Sequence, residues 1–156
     1  GINTIMLRFG NVYGPGSIHK SSVVAKFILK ALSGQVLEIY GDGNQTRDFI
    51  FIDDLIDAII LSLTTNNFGG EVFQIASSSE TTIGELKDLI IAELIQQGIK
   101  GTSVKNVLKR VGDVQRNYSD TSKAYNQLGW KPKVNLKNGI SKTVSYFLNK
   151  LYKIDN

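Results

Sequence analysis

Four arginines stand against fourteen lysines in this chain of 156 residues, and one of the four, Arg47, falls where turn and cap signals crowd together. A guanidinium is planar, permanently charged and carries a fork of donors that matches a phosphate or a carboxylate, which an ammonium cannot reproduce. Arg47 lies inside Gly41 to Asp54, GDGNQTRDFIFIDD, where a glycine-bracketed turn, a short apolar run and a paired carboxylate meet. An arginine there calls for an anion, with a structural salt bridge as the competing reading for Arg47 and Arg110 alike. The pair Asp53 and Asp54 has the composition of a general acid and base. It is explained more simply as an N-cap (Asp53) and a first-turn charge (Asp54) of a helix running to about Leu63. Gly41-Asp42-Gly43 follows neither dinucleotide nor nucleotide-loop spacing, so it reads as a tight turn between strands.

Other chemistries are removed by composition. Without cysteine there are no disulfides, thiolate metal sites or cysteine nucleophiles, which suits a reducing, cytoplasmic setting. His19 is the single histidine, too few for a histidine metal cluster or a Ser-His-Asp triad. No metal is expected. A net charge of +4 and a pI near 9.2 raise nucleic acid as a partner. The lysines are nevertheless spread along the chain without interleaved aromatics, so none is expected. Nor does any apolar run reach the roughly 18 residues of a membrane span.

The elements that must position these residues alternate between strand and helix, which predicts an α/β fold with short strands and several packed helices in one unit, residues 1–156. Thr4 to Phe9, TIMLRF, is almost continuously apolar, as in a parallel strand buried on both faces. Gly10 to Gly16 is a glycine- and proline-rich loop at that strand's end, where open α/β sheets place ligands. Asn11 within it serves a turn and a ligand contact equally well. Val24, Phe27, Ile28, Ala31 and Leu32 form one stripe of a helix over 22–33. Val36 to Tyr40 and Phe49 to Ile52 are strands, and Glu71 to Ala76 is another. Thr82 and Glu85 make a capping box for a helix from Ile83 to about Gln97. Residues 104–118 read as a short strand and a loop around Gly112-Asp113. A short helix over 119–129 stopped by Gly129 and a helix over 136–151 complete the chain. Arg8 is read as structural.

Three blocks, LRFGNVYGPG (7–16), LEIYGDGNQTRDFIFIDDL (37–55) and RVGDVQRNYSDTSKAYNQLGWKPKVNLKNGI (110–140), together resemble the extended short-chain dehydrogenase/reductase family. These are the NAD-dependent nucleotide-sugar epimerases and dehydratases, and the resemblance is to their C-terminal, substrate-binding half. The wording GDGNQTRDF is most similar to UDP-glucose type 4-epimerases. The resemblance implies that Asn11, Arg47 and Arg110 contact the diphosphate of a nucleotide sugar, with Asp113 near the ribose. Glu38, Ile39 and Tyr40 would form the strand whose backbone reads the base, and Ser22 and Val23 would start the substrate helix. Phe9, Gly10 and Val12 would lie where the chain passes the nicotinamide.

It also implies that the NAD-binding Rossmann portion, its glycine fingerprint and the catalytic Tyr-x-x-x-Lys precede residue 1. The chain is therefore expected to be a fragment, to lack that tyrosine and lysine pair, and to be inactive and unable to hold NAD alone. A 4,6-dehydratase or decarboxylase of the same family, and a stand-alone nucleotide-sugar binding module, are the alternatives. Strands cut from a larger sheet leave apolar faces that self-association, disorder or a partner chain would have to cover.

Overall fold

The computed structural model describes residues 4–65 and 69–152, so the two ends of the expected 1–156 unit lie outside it. Among the described residues the chain is α/β, with four α-helices and short strands joined in pairs. Strand β1 (Ile5–Phe9) pairs in parallel with β6 (Glu71–Ile75), β2 (Asn11–Tyr13) with β5 (Phe49–Phe51), and β3 (Leu37–Tyr40) with β8 (Val104–Val107). The fourth pair, β4 (Thr46–Arg47) with β7 (Thr81–Thr82), is antiparallel. Parallel pairs need long crossovers, and the helices α1 (Val23–Leu32), α2 (Ile52–Thr64), α3 (Ile83–Gln96) and α4 (Leu136–Tyr152) lie in those connections or close the chain.

Strand β5 separates two cores. Because successive side chains of a strand point to opposite faces, Phe49 and Phe51 enter a cluster with Tyr13, Phe27, Leu37, Leu86, Val144 and Phe147. Ile50, on the other face, joins Leu55, Phe73, Ile75, Leu128 and Trp130. The strand buried on both faces is thus β5. In β1 the continuous apolar run predicted the same, yet Met6 is 54% and Phe9 58% exposed. The described chain pairs β1 with β6 alone.

Three local expectations are corrected by the structure. The loop after β1 contains β2, because Asn11 to Tyr13 finds a ladder partner in β5. Helix α2 starts at Ile52, with Phe51 as an N-cap that makes no side-chain bond, so Asp53 is not the cap. Asp54 is 2% exposed and accepts from the amides of Lys133 and Val134, while its carbonyl accepts from Trp130 Nε1. It therefore anchors the 130–134 turn. Finally, the predicted 119–129 helix shrinks to one turn and a π-helical segment, Ala124–Leu128, ended by Gly129 at φ 68°. The capping box stands as expected: Thr82 accepts from the Glu85 amide at 3.0 Å, and Glu85 accepts from the Thr82 amide at 2.8 Å.

Tyr13 lies at the centre of the first core. Its hydroxyl donates to the Leu136 carbonyl at 3.4 Å, and its ring meets Phe49 and Phe51 edge-on. Burial, reinforced by the Asp54 carboxylate, pushes that hydroxyl well above the usual phenol range. It stays protonated at neutral pH and is no proton acceptor.

Candidate functional site

A cleft of about 340 Å³ opens between the polar face of α1, the end of β3 and the segment that follows β8. Its walls carry four cations, Lys26, Lys30, Arg47 and Arg110, against two carboxylates, Glu38 and Asp113. Apolar flooring comes from Val23, Phe27 and Ile83, and Asn11 and Gln45 supply amides. A concave site with an apolar floor and a few converging charges is built for an anionic ligand that also has a flat or apolar part.

Each wall follows from its local structure. Ser22 caps α1 by accepting from the Ala25 amide, so its hydroxyl is used in the helix start, and Ser21 beside it lines the cleft. Lys26 and Lys30 are four apart on the helix and so share a face. On β3 the alternation points Leu37 and Ile39 into the core, whereas Glu38 and Tyr40 border the cleft. The amides of Leu37 and Gly41 donate to Ser103 and Val107 on the β8 side. In a parallel ladder the main-chain groups of Glu38 and Tyr40 then face the other edge, where the Tyr40 carbonyl accepts from Gln45 Nε2 at 3.0 Å. The Glu38 carboxylate is held by Lys30 at 2.9 Å and Lys105 at 3.2 Å. Those bonds, from Lys30 first, keep its pKa below the usual glutamate range.

The two arginines differ in how they are held. Arg47 Nη1 donates to the carbonyls of Thr46 and Val114 at 2.7 and 2.6 Å, and Nη2 donates to Asp113 Oδ1 at 2.6 Å. The pair is about four-fifths buried, with side-chain exposures of 18% and 19%. Arg110 instead sits over the Tyr40 ring, its Cζ 3.8 Å from the centroid, and is exposed. A stacked guanidinium leaves its edge donors free to meet a ligand.

Asp48, beside Arg47, is the residue that sequence reasoning missed. Fully buried, it accepts from the amides of Ser77, Ser78 and Ser119 and from the Ser77 hydroxyl, at 2.6 to 3.2 Å. Its carbonyl accepts from the amide and side chain of Asn11, so Asp48 also sets where Asn11 stands. Lys26, Lys30 and Gln45 were missed as well. The four-residue spacing of the two lysines on the polar face of α1 was the signal that could have found them.

The expected nicotinamide-side residues are placed apart from the cleft. Phe9 and Gly10 border an open depression of about 530 Å³ shared with Arg8, Gln74 and Asn117. The Val12 side chain packs against the second core instead. Gly10 is confined by its neighbours, since a Cβ there would lie 2.8 Å from the Asp48 carbonyl oxygen. The depression is a wall and not an enclosure, so these residues fit one face of a flat ring and no more.

Against expectation, one Tyr-x-x-x-Lys spacing does occur, at Tyr146 and Lys150. Both lie on α4, where Tyr146 packs on the first core beside the Phe147 ring and Lys150 is exposed. Neither lines the cleft.

Residues 1–76 match the model of the NAD dependent epimerase/dehydratase family. A putative UDP-glucose 4-epimerase of Methanocaldococcus jannaschii is 39% identical over 151 residues, covering 96% of this chain and 47% of that protein. This chain matches the C-terminal half of an epimerase of that family. A crystal structure of the UDP-glucose 4-epimerase of Thermotoga maritima with UDP-glucose superposes with a TM-score of 0.84 at 36% identity, over 94% of this chain and 46% of that one. UDP-glucuronic acid decarboxylase 1 of Xenopus tropicalis is 33% identical over 97% of this chain and 35% of its own length. The chain thus spans less than half the length of these epimerase and decarboxylase relatives. Among the described residues no helix is long and apolar enough to cross a membrane.

Proposed function

We propose that this chain is the nucleotide-sugar-binding part of an NAD-dependent nucleotide-sugar 4-epimerase, acting on a UDP-sugar. The observation that carries the reading is the convergence of Arg47 and Arg110, from separate blocks of sequence, on one cleft that also holds Tyr40, Glu38 and Asp113. Arg110 and Arg47 grip the diphosphate with charge-assisted bonds, and Asn11 adds an amide donor. The Tyr40 end of the cleft accepts the base, with main-chain groups of Glu38 and Tyr40 along its edge, and Asp113 faces the ribose hydroxyls. Ile39 contributes by seating the strand in the core, and Ser22 with Val23 fixes the start of the helix that carries Lys26 and Lys30.

NAD, when bound, would supply the hydride chemistry at the sugar carbon. This chain supplies one wall for it through Phe9 and Gly10, with Val12 seating that strand, while the remaining contacts and the catalytic tyrosine belong to a preceding Rossmann portion. Gripping the diphosphate leaves the sugar as the part free to turn between two presentations to the cofactor, which is what inversion at one carbon needs. The chain alone is expected to be inactive, and its exposed β1 face to favour self-association or a covering portion of the same protein.

A second reading, a decarboxylase acting on a nucleotide sugar, is favoured by the decarboxylase match over 97% of the chain. Both readings share the same anchor. Titration of UDP into the ¹⁵N-labelled chain tests it. Amide shifts are expected at 38–48 and 110–114, with α2 unmoved. Shifts scattered over the surface, or none, would reject the assigned cleft.

A further inference from the structure

The segment that follows β8 belongs to no ladder, yet it is stitched to the three residues around Arg47. The Thr46 amide donates to the Gln115 carbonyl at 2.8 Å, and Thr46 Oγ1 accepts from the Asn117 amide at 3.4 Å. Arg47 holds the Asp113 carboxylate and the Val114 carbonyl. Asp48 takes the Ser119 amide at 3.2 Å. Three consecutive residues therefore pin a strap over 113–119, and Arg110 stands three residues before it. Leu108 and Val111 of its approach stand fully in solvent, so apolar packing contributes little to keeping it in place.

We infer that Asp113 acts as a resident competitor of the anion: in the free chain it neutralises Arg47 and ties down the strap, and a diphosphate competes with it for that guanidinium. The inference rests on the reading of the cleft as a diphosphate site. A short, largely desolvated carboxylate on Arg47 occupies one of the two edges from which a phosphate would be gripped. Breaking that pair releases a carboxylate at the moment the ligand arrives, and the displaced group is then free for the hydroxyls of a ribose. Arg110, held only by a ring face, has no such competitor among the described contacts. The cleft would thus discriminate a whole nucleoside diphosphate, which gives the displaced carboxylate new partners, from a bare diphosphate, which does not.

The test measures inorganic pyrophosphate and UDP binding by calorimetry in the wild-type chain, Asp113→Asn, Arg47→Ala and the double variant. Pyrophosphate is expected to bind Asp113→Asn about fivefold or more tighter than wild type, and that gain is expected to vanish when Arg47 is already alanine. UDP is expected to gain less than pyrophosphate, because the ribose contact is lost with the carboxylate. A pyrophosphate gain of equal size in the Arg47→Ala background would reduce the effect to general charge and overturn the inference. Unchanged or weaker pyrophosphate binding in Asp113→Asn would overturn it too. Failure of the wild-type chain to bind either probe would reject the diphosphate cleft itself, a distinguishable outcome. Amide exchange without ligand supplies an independent readout: Val114 to Asn117 should exchange at least tenfold faster in Asp113→Asn with α3 unchanged, and an unaltered strap would contradict the tethering role.

Discussion

The guanidinium of Arg110 lies 3.8 Å from the centre of the ring of Tyr40, so a cation and an aromatic face from separate blocks of sequence form one surface. The stack keeps a long, exposed side chain extended along the cleft wall before any ligand is present. Tyr40→Ala is therefore expected to weaken UDP binding by about tenfold, since an exposed to partly desolvated cation–π contact is worth about 0.5–2 kcal/mol. Tyr40→Phe keeps the face and should stay within about twofold of wild type, on the same range. Calorimetry with UDP reads both.

Asp48 gathers four donors into a fully buried carboxylate. Asp48→Ala leaves these part-buried donors without that acceptor, and each donor left unpaired away from water costs about 1–3 kcal/mol. A loss of at least about 3 kcal/mol in urea denaturation is expected, with Asn11, which is held by the main-chain carbonyl of residue 48, keeping its place. A variant as stable as wild type would show that the hub is dispensable.

How much of this was legible in the chain depends on the range of the signal. Helical stripes, the Thr82 and Glu85 capping box and the turn glycines are local, and the structure repeats them almost residue for residue. Arg47 and Arg110 stood out by type and block. What was hidden is long-range pairing. Asp48 bonds partners 29 to 71 residues away, and nothing local marks it. Asp54 is the expected first-turn acid of α2, but its hydrogen-bond partners lie 79 and 80 residues on and could not be read locally. The Asn11 to Tyr13 strand was concealed by its shortness, three residues whose only reason to be extended is β5.

The two helix starts make a paired prediction. Thr82→Ala removes the Oγ1 half of a working capping box and leaves the backbone amide of residue 82 bonded to Glu85, so a loss of about 1 kcal/mol is expected. Asp53→Ala removes only a favourable first-turn charge, so about 0.5 kcal/mol or less is expected. Thermal or urea melts of the two variants decide. A larger loss at Asp53 would return it to the role of cap.

Gly139 on α4 touches the Tyr13 hydroxyl so closely that a Cβ would overlap it. The overlap involves a ring locked between Phe49 and Phe51. Gly139→Ala should destabilise by about 1–3 kcal/mol through overpacking, although alanine is the better helix former. Tyr13→Phe in the same background should recover part of that loss, which the urea midpoint reports.

Glu38, bonded by Lys30 and Lys105, and Glu80, bonded by Arg116, both titrate below the ordinary glutamate value of 4.5 in the folded chain. Their pairing stabilises the fold fully above that value and is lost as pH falls through the lowered folded values. Stability should therefore drop below pH 4.5 in wild type. The double variant Glu38→Gln, Glu80→Gln should start lower and show a shallower decline. Parallel curves from acid titration followed by circular dichroism would contradict the assignment.

The central claim is that two arginines from distant blocks grip one diphosphate. Calorimetry of UDP against the wild-type chain, Arg47→Ala and Arg110→Ala tests it most directly, with uridine as the ligand that lacks the phosphates. UDP is expected to bind wild type far better than uridine does, and each arginine variant should lose tenfold or more for UDP, as charge-assisted bonds worth about 1.5–3 kcal/mol imply, while uridine is unaffected. UDP affinity unchanged by either substitution would contradict the account.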